Sequence, residues 1–318
     1  MKVLLLVISV LYLNTIFCQT YINDSIMGIY VKNEEASKYF DPRGKGETKN
    51  GLKEGHWKEF LFDRFYYYKE EEGIVNYYVE NLLTYGEGNY KAGKRTGKWN
   101  LYLIENETRK KFLSLTANYS ENIRDGKMIY YFPNGKKAAE SKEIKGEVNG
   151  KLTSFYSSGN IYQVIHYRHG KGEGETKIYY ETGEIKHVYN FCNGIICGSS
   201  IGYYKSGNKK FENSYLDGEL NGKSVHWYEN GNIKEKCFYI LGKLDNIFQY
   251  YYPSGQLWVE REYENGLLKE VNHLYDKNGK ELDHGTLSNG NGTLFYYTEE
   301  GVIYLTRVFK DGIQVSKD

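Results

Sequence analysis

Three glycine series run through this chain on one period. Gly135, Gly159, Gly183, Gly207, Gly231, Gly255, Gly279 and Gly301 close segments such as "IYYETG", "GYYKSG" and "HWYENG", with steps of 24 six times and then 22. A second series, Gly146, Gly170, Gly194, Gly218, Gly242 and Gly266, steps by 24, as does a third, Gly126, Gly150, Gly174, Gly198 and Gly222. Self-similarity at that period marks an array in which each unit is buried only against its neighbours. Length alone would suggest about two globular domains for 318 residues. The period overrides that expectation.

Inside each unit the signals are those of strands. Short stretches rich in Tyr, Ile, Val and Phe are bounded by Gly, Asn and Ser, which is a hairpin pattern. The "PNG", "ETG" and "ENG" segments are expected to be two-residue turns with positive φ. The second turn carries glycine at both ends, as in "GKGEG" at 170–174. Aromatic residues form columns: Phe60, Tyr102, Tyr131, Phe155, Tyr179, Tyr203, Trp227, Tyr251, Tyr275 and Tyr297 in one, and Tyr167, Phe191, Tyr215, Tyr239 and Tyr263 in another. Such neighbours contribute roughly 0.2–1 kcal/mol per cross-strand pair. The fold class expected is all-β: an elongated single-layer antiparallel β-meander of stacked hairpins.

The organisation follows. Residues 1–18 have a short basic start, an apolar run from Val3 to Leu13 and a polar exit, which is the form of a secretory signal cleaved after Cys18. Lipidation of Cys18 is the rival, and Thr15-Ile16-Phe17 suits it badly. Residues 19–50 are an irregular lead-in, 51–125 irregular units stretched by extra strand material, and 126–315 the regular array. The openings "NGLKEGHWKEF" and "AGKRTGKWNLY" carry the unit's mark into the irregular part.

Composition narrows the function. Tyrosine accounts for 34 residues, a ring with a polar tip that suits half-exposed surfaces. Lys and Arg number 42 against 41 Asp and Glu, interspersed, so the electrostatic footprint of a nucleic-acid binder is absent. The mature chain keeps Cys192, Cys197 and Cys237, so at most one intramolecular disulfide can form, and no zinc spacing is present. The seven histidines form no HExxH-type pair. The segment "DGELNGKS" at 217–224 has three residues between Gly218 and Gly222, where a phosphate loop needs four. No catalytic, cofactor-binding or metal-binding residues are expected.

The "YxxGKxxGxW" openings and "YYxxGxxKxxxxYxxG" hairpins over about 51–315 resemble the variant class of MORN repeats. The resemblance implies a single-layer sheet of hairpins and a non-catalytic scaffold or binding role, with antitoxin or immunity proteins among bacterial relatives. Asn246 and Glu270 depart from it by lacking the opening glycine. Tyr156, Tyr180, Tyr204, Tyr228 and Tyr252, sharing a face with the column Tyr167, Tyr215, Tyr239 and Tyr263, are expected to form the binding surface. The partner expected is a protein, met after export in the periplasm, cell envelope or medium. Lipid association or carbohydrate binding is the alternative.

Overall fold

The computed structural model describes residues 44–71, 74–104, 111–298 and 301–317; the expected leader and most of the lead-in lie outside them. Among the described residues there is no helix, and strands pair antiparallel in meander order. The chain divides into two units, one running to Gly159 and including Tyr167–Lys171, the other Asn160–His166 with Gly172 onward.

The two-residue turn expected at the "PNG", "ETG" and "ENG" segments is found at the other turn of each repeat. Asn193-Gly194, Asp217-Gly218 and Asn265-Gly266 have positive φ at both residues (52° and 87°, 50° and 85°, 52° and 85°). These are the two-residue type I′ turns, whose twist matches that of the flanking strands. The "ETG"-type segments are three-residue loops instead. Tyr180 N–H donates to the Glu184 carbonyl and Gly183 N–H to the Tyr180 carbonyl, at 2.8 and 2.9 Å. Tyr204 and Tyr228 begin identical loops. Only the glycine needs positive φ there, which is why Thr, Ser and Asn are interchangeable before it.

The third glycine series makes β-bulges. Tyr189 pairs with Ser200 and Asn190 with Cys197, so Gly198 and Ser199 have no partners on that neighbour. Gly198 and Gly222 take φ of 67° and 105°. Asn246 occupies the same position with φ 60° and keeps the bulge, because asparagine is the residue after glycine that most readily enters this region. Glu270 does not; its strand makes two smaller register shifts instead.

Repeats are stitched at the type I′ end. In one unit Gly146 N–H donates to Arg124 O and Gly170 N–H to Val148 O, at 2.8 and 3.0 Å. In the other, Gly194, Gly218, Gly242 and Gly266 donate to Gly172, Ile196, Leu220 and Leu244 at 2.7–3.0 Å. Side chains add to the stitch: Glu173 accepts from Asn193 N–H and Asp245 from Asn265 N–H, both at 3.0 Å.

In the first unit, strands Leu52–Glu71 and Ile74–Lys91 pair continuously from Gly55↔Tyr90 to Glu71↔Ile74, which accounts for the stretched spacing. Beside them Trp57, Tyr90, Trp99 and Tyr119 form an edge-to-face series with centroids 6.1, 5.2 and 6.3 Å apart. Each indole N–H is satisfied, Trp57 on Glu47 O and Trp99 on Asn89 O. Leu101, Leu115, Ala117 and Met128 are fully buried next to this series.

In the second unit the meander changes beyond Leu274. The strands Gly292–Tyr297, Ile303–Lys310 and Ile313–Lys317 form a separate three-stranded sheet. Leu287 and Leu294 cover Val259, Leu268, Val271 and Leu274, giving this end an aliphatic core. Its burial supplies on the order of 1.5–3 kcal/mol per side chain.

Several rings lie directly over glycine. Gly202 pairs with Phe211, and a Cβ on it would sit 2.2 Å from the Phe211 ring; Gly88 stands in the same relation to Trp99, at 2.3 Å. Gly202 has no positive φ, so the demand is steric alone. We expect Gly202→Ala to cost about 1–3 kcal/mol through displacement of Phe211, measured as a lower denaturant midpoint. Phe211→Leu in the same background should recover part of the loss.

Candidate functional site

Four of the five turn tyrosines hold repeats to one another. Tyr180, Tyr204 and Tyr228 donate their hydroxyls to the carbonyls of Tyr203, Trp227 and Tyr251, each at 2.8 Å, and Tyr252 donates to Tyr275 O at 3.1 Å. Every donor and acceptor are 23 residues apart. Asn160, Asn208 and Asn232 add side-chain donors to Glu181 O, Glu229 O and Pro253 O at 2.8–2.9 Å. This end is therefore tied by side chains, as the type I′ end is by backbone.

One side of each ring is also occupied. Lys186, Lys210 and Lys234 place their Nζ over Tyr180, Tyr204 and Tyr228 at 5.5, 5.5 and 5.7 Å. Trp258 takes the lysine's place in the next repeat and stacks on Tyr252, 5.3 Å between centroids and 25° between planes. Burial raises the hydroxyl pKa of Tyr180 and Tyr228. Tyr156 is almost wholly buried and belongs, with Tyr167, to the first unit.

The second column stands at the other end of the strands. Tyr215, Tyr239 and Tyr263 precede the type I′ turns by two or three residues and are half-buried. Burial raises the pKa of Tyr215 and carries Tyr239 well above the ordinary tyrosine range. Tyr263 meets Phe248 edge to face at 6.1 Å and packs against the C-terminal core. Lys209, paired with Tyr203 beside the loop tyrosine Tyr204, stands six positions before Tyr215, so the two tyrosine rows lie roughly 20 Å apart along the strands. The strip between them is mixed: His187, Phe211 and His226 with the buried hydroxyls of Ser200 and Ser224.

That strip holds what sequence reasoning missed. His187 Nε2 lies 2.9 Å from Ser200 Oγ, with the ring between Tyr189 (4.8 Å) and Phe211 (5.2 Å). Burial, then the Lys186 charge, pushes its pKa down to about 4. A serine–histidine contact is also the geometry of an activated nucleophile. Ser200 is only 4% exposed, however, and a buried hydroxyl cannot meet a substrate. The contact is one of packing. The signal available in the sequence was positional: His187 and Phe211 are 24 residues apart and share one repeat position.

Cys192 and Cys197 form a disulfide across the Asn193-Gly194 turn, with Cα atoms 5.8 Å apart. Cys237 is a buried free thiol whose pKa burial pushes up to about 11. In "DGELNGKS" Gly218 completes a type I′ turn and Gly222 a bulge, and the strand Glu219–Trp227 runs through both Gly222 and Lys223. Among the described residues no three His, Cys, Asp or Glu side chains gather closely enough to hold a metal ion.

Two outcomes follow from these contacts. Tyr204→Phe with Tyr228→Phe deletes two ties while keeping the rings, and should cost about 1–3 kcal/mol in all, read by chemical denaturation. A neutral buried histidine stabilises the fold fully above its unfolded pKa near 6.5 and loses that contribution as pH falls toward 4, about 3 kcal/mol for His187. The denaturation midpoint should therefore fall between pH 6.5 and 4. His187→Phe should make that fall shallower; an unchanged profile would show that His187 is not the titrating group.

No curated protein matches the chain. A crystal structure of TcdB2-TccC3-Cdc42 aligns at 10% identity and a TM-score of 0.18, covering 87% of this chain and 14% of that one. The Photorhabdus luminescens Tc holotoxin pore aligns at 10% identity and 0.16, covering 82% and 18%. The chain thus spans less than a fifth of either structure's length, and superpositions this loose carry no argument. The family model described as MORN repeat variant matches residues 124–142, 148–169, 172–193, 220–240 and 244–265. Between the third and fourth matches, Gly198, Gly207 and Gly218 keep the same bulge, loop and turn conformations. MORN repeats are generally scaffolds that bind proteins or membranes, and the family is not known for enzymatic activity. Across residues 124–265 the chain carries five matches to the MORN-variant repeat.

Proposed function

We propose that the chain is an exported, non-enzymatic scaffold that binds a protein partner along its repeats. The observation that carries this reading is the recurrence of exposed aliphatic side chains at fixed repeat positions. Ile161, Ile185 and Ile233, each just after a three-residue loop, are 41, 38 and 37% exposed. Leu216 and Ile240, each just before a type I′ turn, are also exposed. The tyrosines and asparagines at the loop end are spent on ties between repeats, whereas these aliphatic groups have no such use. Apolar surface that recurs in this way is the material of interaction sites.

This reading moves the contact from the tyrosine rings to the residues beside them. The tyrosine rows remain part of the surface, but as its framework. Export is supported by the leader-like residues 1–18 and by the Cys192–Cys197 disulfide, which suits an oxidising compartment. Immunity is the form this binding takes if the partner is a toxin.

The test is capture from envelope extract of the native cell with tagged chain from Gln19 onward, followed by mass spectrometry. One stoichiometric protein is the expected result. Ile185→Lys with Ile233→Lys should abolish its capture and leave the melting temperature within about 2 °C, since surface substitutions are usually worth under 0.5 kcal/mol. Recovery of lipid or glycan alone, or of nothing, would sink the protein-scaffold reading.

A further inference from the structure

Lys186, Lys210 and Lys234 hold one position in three successive repeats, on the strands Ile185–Cys192, Lys209–Leu216 and Ile233–Ile240. Each ammonium is posed over a tyrosine ring that is itself tied to the next repeat. Nearby lysines are neutralised: Lys177 by Glu175 at 2.7 Å and Lys209 by Glu212 at 2.8 Å. Among the described residues no carboxylate stands within ion-pair distance of Lys186, Lys210 or Lys234. Glu184 is bonded to Thr182. Glu235 is the carboxylate whose field reaches His226 together with those of Lys210 and Lys234. The three ammoniums therefore form a row without ion-pair partners among the described residues, each held over a tyrosine ring, in a chain whose overall charge is nearly balanced.

The interval of the row selects its partner. The three strands are separated by one intervening strand each, so the charges recur about every 9.6 Å. A polyproline II segment returns to the same side every third residue, about 9.3 Å on. An α-helix returns nearest to the same side after seven residues, about 10.5 Å. A β-strand places alternate residues on one side about 6.6 Å apart, out of step with the row. The polyproline II repeat misses by about 0.3 Å per unit and the helix by about 0.9 Å.

We infer that the row binds an extended acidic segment of the protein partner, in polyproline II conformation, with Asp or Glu at every third residue. This rests on the scaffold reading above and names the chemistry of the contact. The ring under each ammonium limits its freedom, so that less side-chain entropy is lost on binding.

The test uses fluorescent peptides and the chain from Gln19 onward. One peptide carries four copies of Glu-Pro-Pro; a second has the same composition with its glutamates contiguous; a third is helical with glutamate at every seventh residue. We expect the first to bind at least tenfold more tightly than either other at moderate salt. The triple variant K186Q/K210Q/K234Q should lose that preference, whereas K223Q/K236Q/K243Q, outside the row, should keep it, both with unchanged melting temperatures. Equal binding of the three peptides, tighter binding of the helical one, or an unaffected triple variant would overturn the inference. Partner capture separates the two readings. If K186Q/K210Q/K234Q still captures the native protein, the lysine row is wrong and the scaffold stands; if the wild-type chain captures none, the scaffold reading itself fails.

Discussion

A type I′ turn leaves its glycine N–H pointing along the sheet, and in this chain that N–H meets the carbonyl 22 residues earlier in one repeat after another. Much else depends on this contact. It requires the turn conformation to be the same in each repeat, with glycine second and positive φ at the residue before it, whether that is Asn193, Asp217 or Asn265 or instead Lys145, His169 or Leu241, and it requires the strands between turns to have one length. The bulge at Gly198, Gly222 or Asn246 then adjusts the register within that length. At the far end the tyrosine hydroxyls complete the repeat-to-repeat bonding. Since each hydrogen bond contributes only about 1 kcal/mol net, such a sheet is stable through repetition of neighbour contacts rather than through any one of them.

The packing is correspondingly unusual in content. Aromatic rings over glycines, indoles edge to face with tyrosines, and buried serine and threonine hydroxyls fill the places that a globular protein gives to Leu, Ile and Val. Buried aliphatic side chains gather in two places, beside the Trp–Tyr series of the first unit at Leu101, Leu115 and Met128 and where the meander changes around Leu268, Val271, Leu274 and Leu294, while others stand exposed at strand ends. Polar and aromatic groups thus hold the sheet, while aliphatic side chains such as Ile185, Leu216 and Ile233 stay exposed.

The fold was highly legible because its determinants are local. Period, strand content and turn positions all follow from glycine and tyrosine spacing, and the MORN resemblance came from the same residues. The spacing does not place the two-residue turn, because Asn-Gly occurs at both turns of the repeat. What separates them is whether the residue before glycine also takes positive φ, as Asn193 does and Thr182 does not. The tyrosines at 180, 204, 228 and 252 recur on the period of the sequence, but a ring's hydroxyl partner lies 23 residues on and cannot be inferred from its own repeat. The Cys192–Cys197 bridge was one of several pairings open to three cysteines. The facing strands of a tight turn made it the near one.

The sequence by itself determined the repeat, the antiparallel hairpins and the places where only glycine or asparagine would serve, because each is dictated by backbone conformation within a few residues. Tertiary structure alone decided which polar groups are consumed in ties between repeats and which remain free. That depends on what the neighbouring repeat offers. Lys177 meets Glu175 while Lys186 meets only a ring, and Tyr204 finds a carbonyl while Ile185 and Ile233 find solvent. A column of identical letters is compatible with either arrangement until its neighbours are placed around it.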